Sequence, residues 1–140
     1  MNTKEYFSQT RMLNKCINSK LDHLMALREL VTKATATISD MPSSGSRDVH
    51  QMEEAICRIV DLQNEIDADI NRLINLKQEH MSIIRAIKKP MHQLILEQRY
   101  LCCYSWERIS TELGYEQRSL YRIHNEALAA AEELMQKRNS

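Results

Sequence analysis

The side chains best suited to chemistry in this chain lie between Gln117 and Asn125. Two arginines one turn apart, Arg118 and Arg122, stand with Gln117, Tyr121 and Asn125 on the polar side of a helical pattern. A guanidinium group binds phosphate and the edge of guanine, and the amides of Gln and Asn suit adenine. Residues of these types on one helix face predict a surface that binds the edges of base pairs.

A shorter amphipathic helix precedes this one, and a tight turn joins the two. Ser105 is a good helix cap, and Trp106, Ile109 and Leu113 follow at helical spacing. Gly114 comes next, where a left-handed helix end favours a residue without a β-carbon. The spacing predicts either the helix-turn-helix of DNA-binding proteins or an ordinary helical hairpin, and does not by itself choose between them.

The second helix also needs an apolar face for its own core, which we expect to consist of Leu120, Ile123, Ala127 and Leu128. Trp106 and Tyr115 are expected to pack in this core. On the first helix, Ser105 and Arg108 are suited to binding phosphate, with the amides at the helix start assisting. The predicted DNA-binding residues are therefore Ser105, Arg108, Gln117, Arg118, Tyr121, Arg122 and Asn125.

The same stretch resembles a known DNA-binding region. Within residues 99–128, the segments R-Y-L, S-W-E-R-I, L-G-Y and L-Y-R-I-H-N-E-A-L are similar to the fourth conserved region of bacterial sigma factors. The whole chain resembles a family of small proteins of Firmicute phages and integrated elements, related to the ArpU and RinA late-transcription regulators. The sigma-like pattern implies that the DNA-reading positions lie at the start of the second helix, at Gln117, Arg118, Tyr121 and Arg122.

Charge supports DNA binding less clearly. Glu116 stands where the sigma-like pattern has a Ser or Thr cap, and its carboxylate would repel phosphate. Lys plus Arg equals Asp plus Glu at 19 each, and the chain from Met91 onward carries seven acids against six Lys and Arg. One copy is expected to bind DNA weakly and with strong salt dependence. Docking onto a protein such as RNA polymerase therefore stays open as the alternative.

The composition predicts an all-α fold, because only two Gly and two Pro occur in 140 residues. Apolar spacing predicts long helices over 3–38 and 48–89, joined by a loop at 39–47. Helices of matched length joined in this way predict a coiled-coil-like antiparallel hairpin. Pro90 ends the second helix and marks a boundary between a hairpin region, 1–89, and a sigma-region-four-like helix-turn-helix region, 90–140.

The apolar surface of the hairpin is wider than two helices can cover. It must pack against a second copy or against the carboxy-terminal region, and a homodimer through the hairpin is favoured. Gln63, Lys77 and His80 interrupt the apolar seam and suit a role in fixing register. Three nearby acids share one face of this helix: Asp61, Glu65 and Asp69. A solvated surface is the favoured interpretation, and a cation site or a surface that faces polymerase is the alternative.

Several classes of protein are not expected. The sequence contains no phosphate loop, nucleophile elbow or paired-carboxylate motif, so we predict that it is not an enzyme. Scattered His and Cys residues without metal-ligand spacing predict no metal site and no cofactor. No signal core or long apolar run occurs, so we expect a cytoplasmic protein that does not bind membranes.

These features together predict a sequence-specific DNA-binding transcriptional regulator of a phage or integrated element. The expected partners are double-stranded DNA, a second copy of the chain and, as a further candidate, RNA polymerase. The alternative is a protein-interaction module whose helix-turn-helix region docks RNA polymerase or another protein rather than DNA.

Overall fold

The described part of the chain is helical apart from short connections. The structure, a computed structural model, describes residues 1–40 and 46–139, and their side chains except at 37–48. The helices are α1 Thr3–Asp40, α2 Ser46–Arg85, α3 Pro90–Leu96, α4 Trp106–Leu113 and α5 Gln117–Asn139, with a π-helical segment, Glu97–Leu101, continuing α3. No strand occurs among the described residues, so the predicted all-α class is confirmed.

One compact unit, Lys15–Asn71, is built from α1 and α2. Lys20 lies beside Asp69, and Thr35 lies beside Met52, so the two helices run antiparallel within this unit. Most of the expected loop at 39–47 falls at 41–45, outside the described residues. Leu24, Leu62 and Ile66 form a small buried cluster in this unit, with Leu27 and Ile59 packed against it.

The acidic face predicted on α2 is partly neutralised within this unit. The Lys20 ammonium lies 2.8 Å from a Glu65 carboxylate oxygen and 2.5 Å from one of Asp69. Asp69 is buried, whereas Asp61 is exposed. An ammonium group therefore lies where a cation shared by these two carboxylates would have to bind. This geometry favours a structural ion pair on a partly solvated face over a metal site.

The other compact unit joins Met1–Asn14 to Arg72–Ser140. Phe7 of α1 is fully buried and stacks on Tyr100, with the ring centroids 5.5 Å apart. The hydroxyl of Thr10 donates to the Tyr100 carbonyl at 2.6 Å. Packing therefore crosses the boundary expected at Pro90, since the start of α1 and the end of α2 share a core with α3, α4 and α5. The functional division into regions 1–89 and 90–140 remains a prediction.

The connection before Pro90 is longer than the sequence indicated. We expected the second helix to reach Lys89, but α2 ends at Arg85, after which the amides of Ala86 and Ile87 bond to carbonyls three residues back. Ile87 is buried in the core just beyond this helix end, and Pro90 disfavours helical backbone at Lys89. Lys89 is extended, and Pro90 then occupies the first position of α3, where its missing N–H costs no helical hydrogen bond.

His80 of α2 is fully buried between aromatic rings of α1. Its ring centroid lies 4.5 Å from that of Tyr6 and 5.0 Å from that of Phe7, both in edge-to-face arrangements. Neither ring nitrogen has a hydrogen-bond partner among the described residues. Burial therefore lowers the pKa of His80 from 6.5 to about 4, and the imidazole is neutral at pH 7.

The structure also addresses the expectation about membranes. Within the described ranges, every helix is too short or too polar to cross a lipid bilayer.

Candidate nucleic-acid interface

The two ends of α4 have the geometry that the sequence predicted. Ser105 is the N-cap, with extended backbone at φ −69° and ψ 159°, and its Oγ accepts a hydrogen bond from the Arg108 amide at 3.2 Å. Gly114 ends the helix in the left-handed region at φ 74°, and its amide donates to the Ser110 carbonyl at 2.9 Å. The connection to α5, residues 114–116, is therefore fixed at both ends by local chemistry.

The apolar side of α5 packs as predicted. Leu120, Ile123 and Ala127 are buried, and they share a core with the fully buried Ile109 of α4. Leu128 is partly buried against the same cluster. These contacts fix the rotation of α5 about its axis, and that rotation determines which residues the helix presents to solvent.

A buried hydrogen bond adds to this core. The Tyr100 hydroxyl lies 2.7 Å from Nε2 of His124, and both side chains are buried. Burial, with smaller contributions from Lys4 and Arg99, lowers the pKa of His124 from 6.5 to about 4. The imidazole is therefore neutral at pH 7, and the bond connects the π-helical segment to α5.

The structure places the predicted reading residues of α5 together on its outer side. Arg118, Tyr121, Arg122 and Asn125 are exposed, whereas Gln117 is half-buried and accepts a hydrogen bond from the Tyr121 hydroxyl at 3.2 Å. A shallow surface depression is lined by Arg118, Ser119, Arg122, Asn125 and Glu126. In the part of the chain that the structure describes, neither Arg118 nor Arg122 forms an ion pair with a carboxylate.

The two predicted residues at the start of α4 already have partners. The Ser105 hydroxyl caps the helix and so is engaged with the backbone. The Arg108 side chain is exposed, with its Nε 3.2 Å from a Glu112 carboxylate oxygen and its guanidinium carbon 3.7 Å from the centre of the Tyr104 ring. Arg108 can still reach a phosphate, but it would have to share its charge with Glu112.

Tyr115 differs from its expected burial, whereas Trp106 packs against the core cluster as predicted. Tyr115 is 39% exposed, so the prediction that it packs in the core was wrong. Its backbone carbonyl, not its ring, is the anchored part, because the Ser110 hydroxyl donates to it. Trp106 is half-buried and lies edge-on to Tyr121 and His124, with ring centroids 5.2 Å and 4.8 Å away. It connects the start of α4 to the outer side of α5.

Two further arginines lie beside this surface, and the sequence reasoning did not select them. The Arg99 guanidinium stacks on Trp106, with its central carbon 4.5 Å from the ring centroid. Arg11 of α1 donates to the carbonyls of Arg99 and Tyr104 at 3.2 and 3.1 Å. Arg99 belongs to the R-Y-L segment and could have been found by its position there. Arg11 lies 88 residues earlier in the chain, and no sequence signal connects it to this surface.

Acidic side chains limit the positive potential of the surface. Glu107, Glu116 and Glu126 are all exposed on α4, α5 or the turn between them. Glu126 lies 3.4 Å from Nε2 of His92, so it has a partner on α3. The basic groups are therefore a local feature of a neutral protein, as the equal counts of acids and bases require.

Comparison with known proteins then places the chain in a family. It is 30% identical over 128 residues to a protein of Enterococcus hirae named "Putative autolysin regulatory protein ArpU", covering 87% of this chain and 82% of that protein. The chain belongs to the ArpU family. No family model and no solved structure matches this ArpU-family chain. The alignment spans most of both proteins.

Proposed function

We propose that this ArpU-family protein is a transcriptional regulator that binds double-stranded DNA through α4 and α5, in the manner of a sigma region four. The observation that carries the proposal is the outer side of α5, where Arg118, Tyr121, Arg122 and Asn125 are exposed together. A recognition helix needs such a polar side opposite a side that packs into its own domain. The regulatory name of the ArpU relative supports the regulatory part of the proposal.

The roles of the residues follow from their chemistry and place. Arg118 and Arg122, one turn apart and without carboxylate partners among the described residues, bind guanine edges or phosphates. Asn125 and Gln117 read adenine, and the bond between Gln117 and Tyr121 holds the amide at the start of the helix. Ser105 acts by capping α4, and Arg108 supplies a phosphate contact at the edge of the surface.

The decisive experiment removes the two arginines of α5. A duplex is first selected by the parent protein from a random-sequence pool, and its affinity is then measured by fluorescence anisotropy. Arg118→Ala with Arg122→Ala is expected to weaken binding at least tenfold, because a specific Arg contact contributes about 1–3 kcal/mol. Both side chains are exposed, so the helical circular dichroism signal and the unfolding temperature stay close to those of the parent.

A matched control removes the same charge elsewhere. Arg28→Ala with Arg72→Ala changes two exposed arginines on α1 and α2 and is expected to keep most of the affinity. Equal affinity of the α5 double variant and the parent would show that this side of α5 does not contact DNA. If both double variants lost the same amount of DNA affinity, the loss would be explained by net charge alone, and the proposal that α5 contacts base pairs would be refuted.

We further propose that the protein acts as a homodimer through the long helices. Within the unit Lys15–Asn71, large apolar side chains remain exposed on both helices, among them Leu21, Met25, Leu30, Ile56, Val60 and Ile70. Water contact with so much apolar surface is unfavourable, and a second copy would cover it. Two linked DNA-binding units would also offset weak binding by one. Val60→Lys is expected to shift the sedimentation coefficient towards that of a monomer, whereas Asp67→Lys, at an exposed polar position of α2, leaves it unchanged.

The alternative is a protein-docking module. The neutral net charge and the exposed Glu116 at the start of α5 favour a partner that is less acidic than DNA, such as RNA polymerase. Under this alternative the parent retains no duplex at low salt but binds purified polymerase core enzyme, and the α5 double variant loses that binding instead.

A further inference from the structure

The amino-terminal helix brings an arginine to the surface beside α4. Nη1 of Arg11 donates to the carbonyl oxygens of Arg99 and Tyr104, and Nη1 of Arg99 donates to the same Tyr104 oxygen at 3.0 Å. Two guanidinium groups from distant parts of the chain therefore lie side by side immediately before the N-cap of α4. Both side chains are only partly buried.

The charge of this pair is not balanced locally. No Asp or Glu in 1–36 and 49–139 forms an ion pair with Arg11 or Arg99. Burial, and after it the neighbouring charge of Arg11, lowers the pKa of Arg99, although the group stays protonated. Placing two like charges together costs free energy unless an anion lies near them. The backbone carbonyls that accept hydrogen bonds from the pair carry no net charge, so the combined positive charge stays available to an anion.

The unused donors suit an anion with several oxygens. A guanidinium group carries five N–H donors, and the two hydrogens of Nη1 in Arg11 are directed to the two carbonyls. The Nε and Nη2 atoms of Arg11 have no hydrogen-bond partner in the described ranges. The carbonyl contacts fix the plane of the group, so little side-chain entropy is lost when an oxyanion binds. Phosphate oxygens match this fork of donors.

The pair is continuous with the reading surface of α5. Arg99 stacks on Trp106, Trp106 lies edge-on to Tyr121, and Tyr121 is hydrogen-bonded to Gln117. Each of these contacts lies within the unit that contains α3, α4 and α5. A duplex lying along the exposed side of α5 would therefore present its backbone to this adjacent surface, as phosphates flank the groove that a recognition helix enters.

We propose that Arg11 of α1, together with Arg99, binds the DNA phosphate backbone and makes the amino-terminal helix part of the DNA interface. The inference rests on the proposed DNA-binding function and adds to it a phosphate contact from outside the α4–α5 region. It implies that α1 both packs against the π-helical segment and contributes directly to affinity. The competing explanation is that Arg11 only secures the turn before α4 through its two carbonyl contacts.

The test measures how salt affects the affinity for a fluorescent mixed-sequence duplex of about 30 base pairs. The slope of log K against log salt is negative, and each lost phosphate contact reduces its magnitude by about 0.9. Arg11→Gln is expected to lose about that much, while Arg11→Lys keeps the charge and retains most of the slope. Arg72→Gln, an exposed arginine of α2, is the matched control and retains the parent slope. A structural role alone lowers the unfolding temperature in both Arg11 variants and leaves the slope unchanged.

A second measurement does not depend on any variant folding. The parent protein is treated with phenylglyoxal, which modifies arginine, with and without the duplex, and modified peptides are quantified by mass spectrometry. Arg11 and Arg99 are expected to be protected several-fold by the duplex, whereas Arg72 is modified equally in both samples. Equal modification of Arg11, or an unchanged salt slope for Arg11→Gln, overturns the inference and leaves the α5 proposal standing. A parent that binds no duplex at low salt overturns both.

Discussion

The two buried histidines predict that the protein loses stability in mild acid. His80 and His124 each have a pKa lowered from 6.5 to about 4 in the folded protein. Between these values the unfolded chain binds more protons than the folded one, so the free energy of unfolding falls as pH decreases from 6.5 towards 4. The stabilisation is complete above pH 6.5, the pKa in the unfolded chain, and is lost as the pH approaches about 4, the pKa in the folded protein.

The expected loss follows from these two pKa values. Between pH 7 and pH 5 each histidine contributes a loss of about 2 kcal/mol, or about 4 kcal/mol for the pair, by proton linkage. That is a large part of the roughly 5–15 kcal/mol that stabilises a typical domain. Urea unfolding followed by circular dichroism at a series of pH values measures it directly.

A variant assigns half of the effect to one residue. His80→Leu removes the titrating group from an apolar site between Tyr6 and Phe7 and keeps a similar volume. It is expected to cut the pH dependence by about 2 kcal/mol and to be more stable than the parent at pH 5. His23→Leu, at an exposed position of α1, is the control and keeps the parent dependence. Parallel pH curves for the parent and His80→Leu would refute the reasoning.

Three further substitutions test the local geometry by urea unfolding. Gly114→Ala places a β-carbon in open space at φ 74°, so it is expected to lower the free energy of unfolding by about 1–2 kcal/mol through backbone strain alone. Gly114→Asn, which tolerates this conformation better, is expected to lower it less. An Ala variant as stable as the parent would contradict the left-handed assignment. Ser105→Ala removes the cap of α4 and is expected to cost about 1 kcal/mol, with Ser105→Asp retaining most of the stability; similar losses in both would point away from capping. Thr10→Val removes a buried hydroxyl that shares its one hydrogen between the carbonyls of Tyr100 and Phe7 and should cost about 1–2 kcal/mol, whereas Thr10→Ser retains most of the stability. A neutral Val variant would show that this hydrogen bond does not contribute.

Local features of the sequence were sufficient to predict the all-α class and the α4–α5 connection. The scarcity of Gly and Pro predicts long helices, and the structure confirms that class. Ser105 and Gly114 were assigned to the two ends of α4 because capping depends on one or two neighbouring residues. Leu120, Ile123 and Ala127 were assigned to the core because a period of 3.6 fixes which side of a helix is apolar.

Only the tertiary structure shows which residues pack against each apolar helix face. The pattern of α1 showed an apolar side, and only the structure shows that its first residues pack against Tyr100 and His80. The structure also shows that α2 ends at Arg85 and that Ile87, beyond this end, is buried in the core. Tyr115 was misplaced because its assignment to the core rested on the sigma-like pattern, which does not show whether another part of this chain covers the ring.

The sequence by itself determined the all-α class, where α4 begins and ends, and which polar side chains α5 can present, because each depends on neighbours within a few residues. Tertiary structure alone decided that Arg11 lies beside Arg99, that Trp106 connects α4 to α5, and that His80 is held neutral among aromatic rings. Those facts depend on residues up to about ninety positions apart meeting in one core. A periodic pattern reports which side of a helix is buried and carries no information about its partner.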